Sequence, residues 1–169
     1  MPIPKAPAIA ARGYLLEDFH SGQILSESNA DQRMEPASIT KVMASYVIFK
    51  ELAAGKIKLS DMVTISERAW RMEGSRMFVE VGKQISVEEL LIGMIVQSGN
   101  DATVALAEHI AGSEDAFAGY MNKYAAELGM TGSNFMDASG LPHPDHYMTA
   151  RDIATVSRAL ITEFPDYYK

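Results

Sequence analysis

The sequence predicts an α+β chain in which a short antiparallel hairpin precedes a largely helical region. Alternating apolar residues around a glycine turn near the N-terminus predict the hairpin. Apolar segments bounded by capping residues predict about five helices further along. Hydrophobic residues make up 47% and charged residues 22% of the 169, as in ordinary globular domains. We therefore expect one folded unit, and no apolar run approaches the ~18 residues that a membrane helix needs.

The charge balance and the absence of cysteine exclude several functions. Fifteen basic against 22 acidic residues give a net charge of −7, which argues against nucleic acid as a partner because a nucleic-acid binder needs a basic face. Without cysteine the chain has no disulfide, thiolate metal site or cysteine nucleophile. The glycines form no dinucleotide or phosphate-binding pattern, so we expect no cofactor.

The N-terminal region predicts a leader followed by the hairpin. Residues 1–12 are rich in proline and are expected to form an extended leader. Strands are predicted over 13–18 and 23–27, joined by a turn in which Gly22 can adopt a positive φ. Two strands alone make no stable sheet, so either helices cover them or their partner strands lie outside this chain.

The helices are predicted from caps and apolar spacing. Pro36 opens a helix over 37–53, whose apolar residues cover more than one stripe and indicate burial. Ser86 and Glu89 form a capping box before a second apolar helix that ends at Ser98 and Gly99. The remaining predicted elements are a strand over 62–65, a helical turn over 66–71, an exposed loop over 74–82, an irregular segment over 131–148, and helices over about 101–112, 113–129 and 149–164.

Ser38 and Lys41 are the candidate nucleophile and base. Their spacing of three places both side chains on one helix face. A serine hydroxyl needs a neighbouring base, and a lysine can serve only if burial lowers its pKa. No acidic residue lies three or four positions from Lys41. The helix start would also stabilise a developing oxyanion. A single S-x-x-K is nevertheless expected by chance in a chain of this composition.

A second candidate motif lies between two predicted helices. Gly99 permits a sharp reversal, and the side chains of Ser98 and Asn100 can both face a cleft. Taken alone, the same residues are explained as readily by helix capping.

The histidines do not predict a metal site. His143 and His146 flank Pro144 and Asp145 in a predicted loop, whereas catalytic zinc ligands usually come from rigid elements. No H-E-x-x-H or G-x-S-x-G sequence is present. We therefore expect no bound metal.

In context, these motifs resemble a known superfamily, the penicillin-recognising serine acyltransferases. Within it the chain resembles the D-alanyl-D-alanine carboxypeptidases, which are low-molecular-mass penicillin-binding proteins. The resemblance extends over about 9–168 and is carried by Pro36-Ala-Ser-Ile-Thr-Lys41, Gln97-Ser-Gly-Asn-Asp-Ala102, Gly74-Ser-Arg-Met-Phe78, Ser139-Gly-Leu141, His146-Tyr147 and Thr149-Ala-Arg-Asp152.

The resemblance implies a fold and a set of roles. The fold would be β-lactamase/transpeptidase-like, with a helical subdomain and part of an antiparallel sheet. Ser38 would form the acyl-enzyme and Lys41 would take its proton. Ser98 would relay a proton to the leaving D-alanine. Asn100 would bind the substrate amide and help to hold Lys41, and the Ser38 N–H would supply half of the oxyanion hole.

One family element is absent from the sequence. No lysine is followed by Thr-Gly, so the strand that binds the substrate carboxylate in this family is not found. We therefore expect 13–169 to be a partial transpeptidase-like domain, the N-terminal part of a longer enzyme, which alone would be inactive. It would associate with itself or with the missing C-terminal segment, and a membrane anchor would also lie in that segment.

The sequence is compatible with three functions. The first is a serine DD-carboxypeptidase that trims peptidoglycan stem peptides in the periplasm and binds β-lactam antibiotics. The second is a serine β-lactamase of the same fold, although no glutamate here has asparagine four positions on to act in fast deacylation, and Gly99 stands where such an enzyme carries Asp. The third is a truncated, non-catalytic relative.

Overall fold

A computed structural model describes residues 7–168. Residues 1–6 of the predicted leader lie outside the described residues, and 7–11 form neither helix nor strand. Strands β1 (Tyr14–Glu17) and β2 (Ile24–Ser28) pair antiparallel, with Leu15 opposite Glu27. The predicted hairpin is therefore confirmed. It packs on a helix near the C-terminus through an ion pair of 2.7 Å between Arg158 Nη1 and Glu17 Oε1.

The helix predicted over 37–53 begins with a different geometry. Ala37–Ile39 form a 3₁₀ turn, and α1 then runs over Thr40–Ala53. Ala37 has a φ of 47°, which neither type of helix allows, so regular α-helical geometry begins only after this residue. Helix α1 ends before Gly55, whose φ is 68° and whose N–H bonds to the Leu52 carbonyl. As predicted, α1 is buried over most of its circumference.

A second pair of strands flanks α2 along the chain. β3 (Met62–Thr64) pairs antiparallel with β4 (Gln84–Ser86), and α2 covers Glu67–Trp70. Strand β3 and the helical turn were predicted. Strand β4 was not, because three residues that end in a helix cap are too few to show an alternating pattern.

The remaining helices follow their predicted caps closely. They are α3 (Val87–Val96), α4 (Asn100–Ala111), α5 (Glu114–Glu127), α6 (Ala150–Glu163) and α7 (Pro165–Tyr168). The capping box of Ser86 and Glu89 is present, and Ser113 and Thr149 cap α5 and α6. Helix α6 ends before Pro165, as predicted. The short helix α7 that follows was not predicted; proline suits the first position of a helix, and Pro165 starts it.

Helix α1 lies at the centre of the core. It contacts α3, α4, α5 and α6, so its first turn is held from several sides. The largest fully buried apolar side chains come from most of these elements: Phe117, Phe135, Met43, Ile48, Ile65, Leu90, Met94, Leu106, Met121, Met148 and Val47. Within 7–168 no helix has the length and apolarity required to cross a bilayer.

Candidate active site

The start of α1 places Ser38 and Lys41 in direct contact. Ser38 is exposed in the 3₁₀ turn, whereas Lys41, one turn on, is only 6% exposed. Lys41 Nζ lies 3.1 Å from Ser38 Oγ. The predicted nucleophile and base are thus within hydrogen-bond distance, with the hydroxyl facing solvent and the amine protected from it.

Two further acceptors complete the surroundings of the amine. Lys41 Nζ lies 2.7 Å from Asn100 Oδ1 and 3.1 Å from the Ser139 carbonyl oxygen. A charged lysine donates to all three oxygens. A neutral lysine has two N–H groups, which the Asn100 and Ser139 oxygens can accept, and its lone pair then faces the Ser38 hydroxyl. This arrangement therefore accommodates both protonation states of the amine and directs the neutral one at the Ser38 hydroxyl.

Burial lowers the pKa of Lys41 from 10.5 to about 8, and the nearby Asp137 carboxylate opposes that shift. At pH 7 roughly one lysine in ten is therefore neutral. The sequence shows no acidic residue three or four positions from Lys41, which favoured a lysine without a carboxylate neighbour. That expectation is corrected by Asp137, whose carboxylate acts on Lys41 from a loop almost 100 residues further along the chain.

The second predicted motif occupies the turn between α3 and α4. Ser98 has a φ of 54°, and Gly99, not Ser98 or Asn100, is the N-cap of α4. The capping explanation of the motif is therefore wrong, because neither polar side chain caps the helix. The Asn100 amide instead bridges two elements, since its Oδ1 accepts from Lys41 and its Nδ2 donates to the Glu73 carbonyl at 2.7 Å.

The loop predicted over 74–82 is fixed to this turn. Asp101, 1% exposed, accepts the backbone N–H groups of Met77 (3.0 Å), Phe78 (2.8 Å) and Val79 (3.1 Å). These bonds hold Phe78 at a φ of 65° with its ring 74% exposed. The loop is thus irregular but rigidly anchored beside the motif that contacts Lys41.

An open groove of about 500 Å³ passes over these residues. Ser38, Lys41 and Ser98 line it together with apolar side chains of α1, α3, α6 and α7. Within the described part of the chain, the Ser98 hydroxyl has no hydrogen-bond partner. Three of the four predicted site residues therefore share this groove, and the fourth, Asn100, reaches it through Lys41.

The loop over 137–140 supplies contacts that the sequence did not indicate. Asp137 Oδ1 accepts the N–H groups of Ser139 (2.8 Å) and Gly140 (2.6 Å). Gly140 has a φ of 89° and lies against the 3₁₀ turn so closely that an added Cβ would come within 1.8 Å of the Ala37 oxygen. This close packing sets the Ser139 carbonyl on Lys41.

His146, weighed above as a metal ligand, lies inside the protein. It is 2% exposed, and its Nε2 lies 2.8 Å from Thr40 Oγ1. Its Nδ1 accepts the Met136 N–H at 3.2 Å. Across residues 7–168 no group of three or more histidine, aspartate or glutamate side chains could hold a metal.

The fold matches solved structures of penicillin-binding proteins and DD-peptidases. The D-alanyl-D-alanine carboxypeptidase DacD from Francisella tularensis superposes with a TM-score of 0.97 at 42% identity, over 99% of this chain and 41% of that one. Penicillin binding protein 5 from Haemophilus influenzae gives 0.96 at 47% identity, over 98% and 49%. The predicted α+β fold of this class is confirmed.

The sequence comparison gives the family. The model for D-alanyl-D-alanine carboxypeptidases, the S11 peptidases, matches residues 2–169, so the chain belongs to this family. The carboxypeptidase DacC of Escherichia coli K12 is 47% identical over 170 residues, which cover 97% of this chain and 42% of the relative. The chain thus spans about two fifths of the length of the curated relatives it matches.

Proposed function

We propose that this chain carries the acylating part of a serine DD-carboxypeptidase, which removes the terminal D-alanine from peptidoglycan stem peptides. The contact between Lys41 Nζ and Ser38 Oγ, together with the two acceptors that orient the amine, carries the proposal. Family membership supports the substrate class, since relatives across the family bear the carboxypeptidase name.

The acylation step follows from the hydrogen bonds around Lys41. The neutral amine accepts the Ser38 proton while its two N–H groups stay on the Asn100 and Ser139 oxygens. Ser38 Oγ then bonds to the carbonyl carbon of the penultimate D-alanine, and a tetrahedral oxyanion forms. Ser38 precedes α1, and its backbone N–H has no acceptor among the described residues, so it is available to this oxyanion.

Collapse of that intermediate requires a proton for the leaving group. The C–N bond breaks and D-alanine departs as an amine, so the proton taken from Ser38 must reach its nitrogen. Ser98 lines the groove with its hydroxyl unbonded among described residues, a position suited to relay the proton. Water then cleaves the ester and regenerates Ser38. Asn100 would bind the substrate amide with the N–H that Glu73 does not engage.

β-Lactams fit the same chemistry as inhibitors. Ser38 would open the ring by the same acyl transfer, but the cleaved nitrogen stays tethered and blocks the groove. The β-lactamase alternative is not favoured, because relatives near 47% identity are named as carboxypeptidases. The proposed substrate places the enzyme in the periplasm or cell envelope.

Labelling of the full-length protein with a fluorescent penicillin tests the proposal. We expect a covalent band on a denaturing gel, its loss in Ser38→Ala, and its retention in the control Ser60→Ala, whose residue is exposed and distant in the sequence. A dipeptide assay should detect release of D-alanine. A label that persists in Ser38→Ala would contradict the assignment. Rapid penicillin hydrolysis without D-alanine release would indicate a β-lactamase, and no label at all a non-catalytic relative.

A further inference from the structure

We propose that Asp137 is a positioning residue for Lys41: its carboxylate fixes the Ser139 carbonyl against the amine and favours the charged amine, and so sets the pH at which Ser38 becomes reactive. The inference rests on the proposed function, because it concerns the same nucleophile and base. It adds a residue to which neither the spacing of the motifs nor the family resemblance assigned a role.

The first support is the way Asp137 shapes its own loop. One carboxylate oxygen, Oδ1, accepts the N–H groups of both Ser139 and Gly140 and lies 3.2 Å from Ser139 Oγ. Two backbone donors on one oxygen fix the orientation of the intervening peptide group. The Ser139 carbonyl consequently points at Lys41 Nζ, 3.1 Å away.

The second support is that the loop is tied to α1 through His146. Because Nδ1 accepts the Met136 N–H, the ring is neutral and its proton lies on Nε2, which donates to Thr40 Oγ1. Burial lowers the pKa of His146 and stabilises this neutral form. Asp137 Oδ2 lies 3.5 Å from the same nitrogen, Nδ1. The loop is thus tied to Thr40, one of the two residues between Ser38 and Lys41.

The third support is electrostatic. Asp137 is the charged side chain whose field acts on Lys41, and it opposes the effect of burial. The other elements around Lys41 contribute neutral groups, Ser38 from the 3₁₀ turn and Asn100 from α4. Two other titratable side chains lie near the loop. Glu114 of α5 accepts the Ala138 N–H and pairs with Arg68. His143 acts on His146.

Asp137→Asn in the full-length protein separates charge from position. The amide retains an oxygen for the two backbone donors and removes the negative charge. We expect neutral Lys41 to persist to lower pH, so that the penicillin acylation rate at pH 6, relative to its alkaline plateau, rises about threefold. Asp145→Asn is the matched control, because it removes the same charge from an exposed position of the same segment and should leave the ratio unchanged.

A titration independent of catalysis makes the test decisive. The NMR signal of ¹³Cε-labelled Lys41, assigned by its loss in Lys41→Arg, should titrate at lower pH in Asp137→Asn than in the unmodified protein. If the protein does not acylate, the proposed function fails while this titration still tests Asp137. Asp137→Ser, which keeps a short acceptor oxygen, repeats the measurement should the amide variant not fold. A titration midpoint that is unchanged in the folded variant, or equally changed in Asp145→Asn, would overturn the proposal.

Discussion

Gly140→Ala tests whether the site depends on the close contact between the 137–140 loop and the 3₁₀ turn. Gly140 has a φ of 89°, and a Cβ there would lie 1.8 Å from the Ala37 oxygen, a backbone atom that cannot rotate away. Real Cβ atoms stay beyond 3.0 Å, so the loop must withdraw by about 1.2 Å. Such a movement would lengthen the 3.1 Å contact between Ser139 and Lys41 to about 4.3 Å and break the hydrogen bond.

We expect the acylation rate of Gly140→Ala to fall by more than its reduced unfolding free energy can explain. A misplacement of about 1 Å near reacting groups costs up to ~10²-fold in rate, and we expect the penicillin acylation rate to fall by about that factor. Gly112→Ala is the matched control, because Gly112 has a φ of 82° with open space around it. It should lose about 1 kcal/mol of unfolding free energy from the left-handed backbone alone and acylate normally.

Acylation would be timed by fluorescent penicillin after both variants are shown to be folded by circular dichroism. Gly140→Ala acylating within twofold of Gly112→Ala would refute the reasoning, because the Ser139 carbonyl would then be dispensable or the loop free to adjust.

Three further predictions concern residues on α1 and α4. Lys41→Arg should nearly abolish acylation, because a guanidinium keeps its proton near pH 7. The control Lys50→Arg, on the same helix, should acylate normally. The intensity of the fluorescent penicillin band on a denaturing gel measures both. In the unmodified protein, the neutral fraction of Lys41 increases as pH rises toward its pKa of about 8. The acylation rate should therefore increase roughly tenfold from pH 6 to 7 and less than twofold from pH 8 to 9. A rate that does not change with pH would exclude Lys41 as the base. Asp101→Ala should lower the unfolding free energy in urea by about 3 kcal/mol, because it leaves four backbone N–H groups, three in the loop and that of Ala102, without this acceptor. A loss below about 1 kcal/mol would mean that the loop rebinds elsewhere.

The helices were predictable because their signals are local. Ser86 with Glu89, and the caps Ser113 and Thr149, lie within four residues of the donors that they bind, so adjacent sequence contains the whole interaction. Strand β4 has three residues, and its pairing depends on β3 about twenty positions away. Pro165 correctly marks the end of α6, but it also starts α7, whose four residues are too few to show a helical pattern.

In the candidate site, too, contacts between neighbours in the sequence were predictable and contacts between distant residues were not. Ser38 and Lys41 share one turn of one helix, so their spacing predicts their contact. Ser139 acts through its backbone carbonyl, which every residue possesses, and no residue type marks that position. Asp137 followed by Ala-Ser-Gly is typical of a side chain that accepts its own loop's N–H groups. That pattern predicts a turn, but it does not show that the turn packs against the start of α1.

The contacts of Lys41 can form only when the rest of the chain has folded around α1. The amine meets partners 59 and 98 residues away in the chain, and Thr40 meets His146 at a separation of 106. Such distant contacts form late, since the connecting chain must first be ordered. A partly folded chain would contain α1 and expose Ser38, but its lysine would be in water with an ordinary pKa and would not activate the hydroxyl. Covalent capture of a penicillin would therefore mark only chains that have completed folding, and the labelled fraction would measure the native fraction during refolding.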